Sequence, residues 1–589
     1  MSRSSPPNRA LRIVRSGPAA VGLVLLAVLP GAASVRGETG PGEGAAILAA
    51  IDEAGSALAA PRRSEAPGLA PSRREDPAPV PAPSPAPALP APPLLGAIEG
   101  LVPTTLAGRL AGAPPLALRR GAEDVAEIAA FYAARGHGPV FVDAAGPRPG
   151  PSALARTLMP VLEAAAQEGL DPAAYAVPDI ARIAPGDVGA VADAELAFAA
   201  AIVRYAQDAR GGRIPKPERL HPMITPALDL PGASDVLAGL VAADDPARAL
   251  ADHHPPHEGY RALRAALAEL RARGPAEPLV AVPPGPTLRV GMSDPRVPLL
   301  RARFGLGDDP PERERLYDTR LAALVEDFQR AHGLAADGVV GAQTIAALAS
   351  VDPLRREAEL VSNMERWRWL PRELGARMVF VNVPAFEMEV HADGVRVETA
   401  RVIVGKPDAQ TPIFSDRMRY LVVNPSWTVP PSILRRDWLP LLRANPDAAA
   451  ERGFEVIRRG NTISVRQPPG PTNALGLIKF MFPNGHHVYL HDTPNRSLFN
   501  TLRRAHSAGC VRVENPFRLA EFLLSPQGWT EERLRGLVGR GERAIHLEDP
   551  VPVHLAYFTL SPDGAGGLRV HEDVYGFDAL VRDALGLGS

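Results

Sequence analysis

The spacing of apolar residues changes along the chain and divides it into two kinds of structure. Across residues 116–273, apolar side chains recur at intervals of three and four, as in Ala122–Arg135 and Ala190–Arg210, which predicts amphipathic helices. After Ala376 the interval shortens to two in segments such as RMVFVNVP, which predicts strands with one buried face. The pattern therefore predicts a multidomain α+β fold with a helical first part and a mostly-β second part.

Turn signals refine the β-rich part. Gly460-Asn461 and Asn484-Gly485 each separate two alternating segments, and such pairs are strong hairpin signals. Residues at about 430–480 interrupt the strands, and Pro430–Glu455 has a helical composition. We expect this interval to be an inserted capping subdomain.

Between the two parts lies a small unit, residues 286–350. Tyr317-Asp318 precedes a helix at Thr319–His332, and the glycine-punctuated segment GLAADGVVGAQTIAAL leads into another. A connecting helix then ends in NMERWRWLP, where we expect Trp367 and Trp369 to pack in a core or an interface.

The N-terminal region has the layout of an export signal. Four arginines are followed by an apolar run, Ala19–Leu29, and then by small residues up to Ala33. The run is short for a membrane span, so a cleaved signal peptide is preferred to an uncleaved inner-membrane anchor. Residues 34–115 include a Pro/Ala-rich stretch, which predicts a disordered, extended linker.

Charge and cysteine content narrow the function classes. The formal net charge of −2 gives no reason to expect a nucleic-acid partner. An exported chain with a single cysteine cannot form an intramolecular disulfide, so Cys510 is either an inert buried thiol or a functional one.

The residues around Cys510 favour a functional thiol. In CVRV, Val511 and Val513 alternate with Cys510 and Arg512, which places the thiol and the guanidinium on one face of a strand. In HHVYLH, alternation puts Tyr489 and His491 together on the face opposite the core, where we expect His491 to face a cleft or solvent.

A nucleophilic thiol needs a base or a positive neighbourhood. His491 can supply the base, Arg512 the positive potential, and Gly509 a close backbone approach to a bound carbonyl. From the residues alone, His491 is balanced between a general base and a hydrogen-bonded structural histidine. A zinc site is set aside because His486 and His487 would point to opposite faces of a strand.

A second group of histidines is also a candidate metal site, and we do not expect it to bind a metal. His253, His254 and His257 surround a Pro-Pro pair in a loop-like context that is unsuited to ligation. We therefore expect neither a metal nor a cofactor.

Eighteen residues separate His491 from Cys510, and Cys510 lies in an S-x-G-C-V-R-V motif that an Asn follows. This pattern is similar to the signature of the L,D-transpeptidase (YkuD-type) catalytic domain. The YD–FQ–HGL–DGVVG–T–L series resembles a three-helix peptidoglycan-binding domain, with a non-binding spacer as the alternative. The order of the parts resembles the large periplasmic members of that family, over residues 116–580. Many relatives have His where this chain has Ala508.

The resemblance implies roles for particular residues. Cys510 would be the acylated nucleophile, His491 its general base and proton donor, and the Asp492 backbone carbonyl would orient the imidazole. The substrate-binding residues that we expect, apart from these three, are Arg512, Gly509, Ser507, Tyr489 and Asn515.

The resemblance also implies a reaction. Cys510 would attack a tetrapeptide stem of peptidoglycan, release D-alanine and form a thioester, which an amine of another stem would resolve into a 3→3 crosslink. Hydrolysis, attachment of a protein amine and a non-catalytic wall-binding scaffold are the alternatives. The expected partners are stem peptides and glycan, with other wall-synthesis enzymes as candidates; the expected location is the periplasm.

The chain is thus divided into successive parts. They are a signal peptide (1–33), a linker (34–115), a helical scaffold domain (116–285), a peptidoglycan-binding domain (286–350), a connecting helix (351–375), a catalytic domain (376–548) with its capping insertion, and a C-terminal extension (549–589).

Overall fold

The computed structural model describes residues 100–146, 148–274, 279–306, 313–331, 334–350, 353–460 and 462–588. The predicted signal peptide and the first part of the predicted linker lie outside these ranges. Among the described residues, no helix combines the length and the apolar character that crossing a membrane requires.

The prediction of a disordered linker up to residue 115 is wrong at its C-terminal end. Helix α1 (Val102–Ala111) forms there, and Val102, Leu106 and Leu110 are buried in the helical core. These three residues are spaced by four, which makes an apolar stripe on one helix face. The linker boundary was drawn from Pro and Ala content and overlooked this stripe.

The helical region is built around its longest helix, α4 (Val188–Gly211), in which many of the buried residues are alanines. In the described residues its helices are α1, α2 (Ala122–Ala134), α3 (Ala153–Glu163), α4 (Val188–Gly211), α5 (Ala233–Ala242), α6 (Pro246–Ala251) and α7 (Glu258–Ala272). Asp and Ser side chains begin several of them: the Ser152 hydroxyl, for example, accepts a hydrogen bond from Ala155 N–H (3.1 Å). Two short strands, β1 (Val142–Asp143) and β2 (Gly150–Pro151), pair beside this core.

The small unit contains α8 (Val297–Arg303), α9 (Thr319–Ala331) and α10 (Ala342–Ser350) around its own apolar core. The turn at Asp337-Gly338, before α10, is bonded to helix α9. There the Gln329 Oε1 atom accepts a hydrogen bond from Gly338 N–H (2.9 Å). The hydroxyl of Tyr317 donates to the Gly338 carbonyl (2.7 Å). The motif residues thus tie the helices together.

The β-rich region is one twisted sheet with helices against it. Its strands are β3 (Arg377–Asn382), β4 (Glu387–Ala392), β5 (Val395–Gly405), β6 (Phe414–Val423), β10 (Ile478–Met481), β11 (Leu490–His491), β12 (Ala505–Ser507), β13 (Val511–Val513) and β14 (Arg543–Ala556). Within the described residues their order in the sheet is β12-β5-β13-β11-β10-β6-β14-β3-β4, and a further pairing of β4 with β5 closes the sheet on itself. The predicted multidomain α+β fold is confirmed.

The boundary predicted at residue 548 is wrong, because β14 runs through it. This strand lies in the middle of the sheet, antiparallel to β6 and parallel to β3. Its register shifts between His546 and Val551, so the alternation breaks where the boundary was drawn. Strands β15 (Leu560–Pro562) and β16 (Leu568–Val570) and helix α17 (Phe577–Leu585) follow, and Phe577 and Val581 are buried in the main core.

The predicted capping insertion is a separate small subdomain, although it is shorter than the predicted 430–480. Strands β7 (Trp427–Thr428), β8 (Glu455–Arg459) and β9 (Thr462–Gln467) form their own sheet. A separate apolar cluster around Trp438 and Leu442 supports it. Between these strands lie α12 (Pro431–Ile433), a π-helical turn (Leu434–Trp438), α13 (Leu439–Ala444) and α14 (Ala448–Glu451). Residues 478–480 belong instead to β10 of the main sheet.

Helix α11 (Pro353–Trp367) joins the helical region to the sheet. The ring of Trp367 stacks on Phe558 with centroids 4.4 Å apart, and Trp367 and Trp369 are both buried, as predicted. The buried Arg368 guanidinium donates to the Tyr260 hydroxyl of α7 (2.7 Å). One continuous core therefore runs from α7 through α11 into the sheet. Helices α15 (Pro516–Leu524) and α16 (Glu531–Arg535) complete the fold.

Candidate active site

Two short parallel strands bring the predicted catalytic residues together. Leu490 of β11 pairs with Val511 of β13, and His491 pairs with Arg512. Leu490 and Val511 are fully buried on the core side. Since side chains alternate along a strand, His491, Arg512 and Cys510 share the opposite face, with Cys510 diagonal to His491.

The His491 imidazole is buried, with only 4% of the residue exposed, so the expected exposure to solvent is wrong for this residue. Its Nδ1 lies 2.5 Å from the Asp492 carbonyl oxygen. A carbonyl can only accept, so the Nδ1 atom carries the proton and Nε2 keeps its lone pair. Burial, with the Arg512 charge, lowers the pKa of His491 to about 3, against the opposing effect of carbonyl contacts with Asp492 and Leu475. The imidazole is thus neutral at physiological pH.

The Asp492 side chain has a structural role that the sequence did not predict. Its carboxylate accepts hydrogen bonds from Leu477 N–H (2.9 Å) and from Arg496 Nη1 (2.7 Å). Gly476 passes so close that a Cβ there would lie 2.5 Å from the Asp492 carboxyl group. The Asp492 carboxylate thereby holds the loop before β10 in place, while the backbone carbonyl of the same residue orients His491.

Cys510 is half-buried at the start of β13. Burial raises the pKa of its thiol to about 11, although a backbone hydrogen bond with Tyr489 and the Arg512 charge act in the opposite direction. The resting site therefore contains a neutral thiol beside a neutral imidazole. Such a pair reacts when the thiol loses its proton as it attacks, and a nearby base must receive that proton.

The loop that carries Cys510 is held by its own short hydrogen bonds. The Ser507 hydroxyl donates to the Cys510 carbonyl (2.5 Å) and accepts from Gly509 N–H (3.1 Å). Gly509 has φ +118°, a backbone conformation that side chains disfavour. Ser507 and Gly509 thus shape the turn and leave the thiol at the edge of the face.

A second support for this loop was not predicted from the sequence. The Thr411 hydroxyl donates to the Gly509 carbonyl (2.8 Å) and accepts from Gly405 N–H (2.9 Å). The Tyr575 hydroxyl donates to the Gly405 carbonyl (2.6 Å) and accepts from Thr411 N–H (3.1 Å). The C-terminal residues therefore brace the catalytic loop from about 65 positions downstream of Cys510. The only sequence signal was the polar–aromatic VYGFD segment.

Tyr489 links the site to the capping subdomain. Its ring meets the His491 ring edge to face, with centroids 5.7 Å apart. Burial and the neighbouring Cys510 raise the pKa of the Tyr489 hydroxyl, while a hydrogen bond from Trp427 of β7 lowers it. The capping subdomain therefore reaches the edge of the site through Trp427.

Arg512 and Asn515, both predicted to bind substrate, have different positions. Arg512 lies opposite His491, and its Nε is buried without a hydrogen-bond partner among the described residues. Asn515 is exposed beyond the far end of β13, where it precedes helix α15 without a side-chain capping bond. The structure therefore places Arg512, but not Asn515, beside the thiol.

The sequence predicts that His486 and His487 lie on a strand, and this prediction is wrong. Strand β11 begins only at Leu490. His487 has φ +56° in a turn, and His486 Nε2 lies 2.8 Å from the Thr225 hydroxyl of the helical region. Within the described ranges, no cluster of three or more His, Cys, Asp or Glu residues has a metal-binding arrangement.

Three family models match successive parts of the chain. Residues 376–553 match the L,D-transpeptidase catalytic domain, residues 126–267 a scaffold domain, and residues 302–348 a "putative peptidoglycan binding domain". A curated protein of Haemophilus influenzae named "Putative L,D-transpeptidase" is 34% identical over 297 residues, which are 46% of this chain and 60% of that relative. The match thus spans less than two thirds of the relative's length.

Two solved structures were also found. An L,D-transpeptidase from Xylanimonas cellulosilytica is 20% identical, with a TM-score of 0.15, over 46% of this chain and 99% of its own. A fused Zn-dependent amidase/peptidase/peptidoglycan-binding domain-containing protein from Clostridium acetobutylicum is 12% identical, with a TM-score of 0.14, over the same shares.

Proposed function

Since the chain carries an L,D-transpeptidase catalytic domain, we propose that it forms 3→3 crosslinks in peptidoglycan through a thioester on Cys510. The observation that supports the proposal is the arrangement on one sheet face of three groups: the thiol, a neutral histidine oriented by a backbone carbonyl, and an arginine that has no counter-ion among the described residues. The donor is a tetrapeptide stem, and the acceptor is the side-chain amine of another stem.

In the first half-reaction, Cys510 Sγ attacks the carbonyl at the L-centre of the third residue of the donor. The S–H proton passes to His491 Nε2 as the S–C bond forms, and the Asp492 carbonyl stabilises the imidazolium through Nδ1–H. His491 then returns the proton to the leaving nitrogen as the C–N bond breaks. D-Alanine leaves, and the thioester remains.

In the second half-reaction, an acceptor amine attacks the thioester carbonyl. His491 removes a proton from the amine nitrogen, the new C–N bond forms, and the C–S bond breaks with return of a proton to sulfur. Backbone N–H groups at the Gly509–Cys510 turn are candidates to stabilise the oxyanion of both steps. Hydrolysis uses the same thioester, so water must be kept out for transfer to dominate.

The remaining domains fit a wall-directed enzyme. We propose that residues 286–350 hold the chain on peptidoglycan and that the exported protein acts in the periplasm, with glycan strands and stem peptides as partners. The capping subdomain, which reaches Tyr489 through Trp427, covers the bound stem.

The test uses purified full-length protein with a disaccharide-tetrapeptide. We expect a dimer that has lost one D-alanine, detected by mass spectrometry, and a covalent mass on Cys510 in single-turnover samples. Cys510→Ala should abolish both, and Cys510→Ser should keep the fold with a loss of at least about 100-fold in rate, because a serine hydroxyl is less nucleophilic than a thiolate. Dimer formation by Cys510→Ala would refute the mechanism, and tripeptide monomer as the sole product would identify a carboxypeptidase.

A further inference from the structure

Lys479 faces the candidate active site from strand β10, next to His491. Lys479 is paired with His491 across β10 and β11, and His491 is paired with Arg512 across β11 and β13. Directly paired residues project from the same face of a sheet. The three side chains therefore form a row, with the imidazole between two cations, which we call the cation row (Lys479, His491 and Arg512).

The two cations of this row have no counter-ion among the protein residues that the structure describes. In the described part of the chain, Lys479 and Arg512 make neither a hydrogen bond nor an ion pair, and Arg512 Nε is buried without a partner. The carboxylate whose charge acts on Lys479 is that of Glu542. It is already engaged, because it accepts a hydrogen bond from the Ser426 hydroxyl (2.8 Å) and lies 3.7 Å from Arg466.

Leaving partly buried charges without an opposite charge is unfavourable, and both residues are half-buried. The row lies on the face that carries Cys510, with apolar side chains Phe480 and Leu490 directed to the core behind it. A bound anion would offset this cost. The cation row therefore has the charge of an anion subsite, with its Arg512 end next to the nucleophile and its Lys479 end beyond His491.

We infer that the cation row binds the free α-carboxylate of the residue that leaves the donor stem. This inference rests on the proposed function. The leaving nitrogen is one carbon atom away from that carboxylate, and His491 lies between the two cations. A carboxylate held by Lys479 and Arg512 thus brings the nitrogen to the imidazole that must protonate it. The Arg512 fork suits a carboxylate, while Lys479 acts as a point charge.

The subsite sets the length of the donor. A stem that ends one residue after the scissile bond presents a carboxylate to the row, and a longer stem presents a neutral peptide group there. Binding and leaving-group protonation are then coupled: the C–N bond breaks, His491 gives its proton to the nitrogen, and the amino acid departs with its carboxylate still charged.

The experiment compares two matched donors, a disaccharide-tetrapeptide with a free C-terminal carboxylate and the same compound as a C-terminal amide. Single-turnover acylation of the full-length protein is followed by intact mass. The free acid should acylate the wild type about 10- to 100-fold faster per unit concentration, the range of a charge-assisted contact. Lys479→Met should lose most of this preference by slowing the acid donor alone, and Lys479→Arg should restore it.

The control is Lys216→Met, which removes an exposed lysine of the helical region and should leave both rates unchanged. Equal rates for acid and amide in the wild type would overturn the subsite and leave the thioester mechanism intact. An equal slowing of both donors by Lys479→Met would also overturn it, since that pattern reports a structural role. Absence of any mass on Cys510 would instead overturn the proposed function, and the subsite with it.

Discussion

Two buried histidines, His254 in the helical region and His491 in the sheet, have opposite surroundings despite similar burial. His254 has both ring nitrogens engaged, because Nε2 lies 3.0 Å from the Tyr205 hydroxyl and Nδ1 lies 3.2 Å from the Tyr260 hydroxyl. His491 has Nδ1 at the Asp492 carbonyl, and its Nε2 meets no side-chain partner within the described residues. Burial lowers the pKa of both.

The difference separates a structural histidine from a reactive one. A fully hydrogen-bonded ring joins helices and has no capacity left for a substrate proton. A ring that is neutral, oriented by a carbonyl at Nδ1 and without a side-chain partner at Nε2 among the described residues is suited to general base catalysis. The same contrast holds for cations, since the buried Arg368 donates to Tyr260 and to the Glu168 carbonyl, whereas Arg512 has no partner among the described residues.

Replacing each histidine by glutamine should separate the two roles most clearly. His491→Gln should lower the acylation rate by about 10²–10⁴-fold, the usual contribution of a general base, with little change in the unfolding midpoint. His254→Gln should leave the rate per folded molecule within about twofold and lower the free energy of unfolding by about 1–3 kcal/mol, through lost hydrogen bonds. Single-turnover mass spectrometry and urea unfolding measure the two effects. A large loss of rate in His254→Gln would abolish the distinction.

A smaller effect is expected where the C-terminal residues brace the catalytic loop. Tyr575→Phe removes the hydroxyl that joins Gly405 and Thr411, so Thr411 holds Gly509 less firmly. We expect kcat to fall about 10-fold with little change in KM, which corresponds to about 1.4 kcal/mol.

The matched control for the brace is Tyr420→Phe, because the Tyr420 hydroxyl has no hydrogen bond among the described residues. Unchanged kcat in Tyr575→Phe would show that the loop does not depend on the brace. Equal losses in the two variants would show that the effect is not specific to it.

Local patterns predicted the parts of the site that lie close together in sequence. Alternation in CVRV placed Val511 and Val513 in the core and Cys510 with Arg512 on the other face, as the structure shows. The family resemblance then pointed to the Asp492 carbonyl, which does lie against His491. The sequence did not predict the burial of His491, to which the loop before β10 contributes a backbone contact from Leu475.

Contacts between residues that are far apart in the sequence could not be predicted from local patterns. Thr411 contacts Gly509 of the catalytic loop, and Tyr575 supports Thr411 and Gly405 from the C-terminal segment. These contacts depend on the pairing of β5 with β13, which joins residues about 110 positions apart. The same limit explains the mistaken boundary at residue 548: the register shift in β14 resembles a domain end in the sequence, although the strand continues through the centre of the sheet. The sequence did not predict Lys479 as a site residue, because its position beside His491 depends on how strands β10 and β11 pair.

If a neutral His491 takes the Cys510 proton during attack, the pH dependence of acylation should show it. The pKa of His491 is lowered to about 3 and that of Cys510 is raised to about 11, so neither group titrates between these values in the folded protein. Stability should nevertheless fall as the pH drops below about 6.5, because the unfolded chain takes up protons on its histidines before the folded chain does.

Acylation by a disaccharide-tetrapeptide, measured per folded molecule from pH 6 to pH 9, is therefore expected to change by less than about threefold. A rate that rises about 10-fold with each pH unit would mean that a preformed thiolate is the nucleophile. That result would contradict the role assigned to His491.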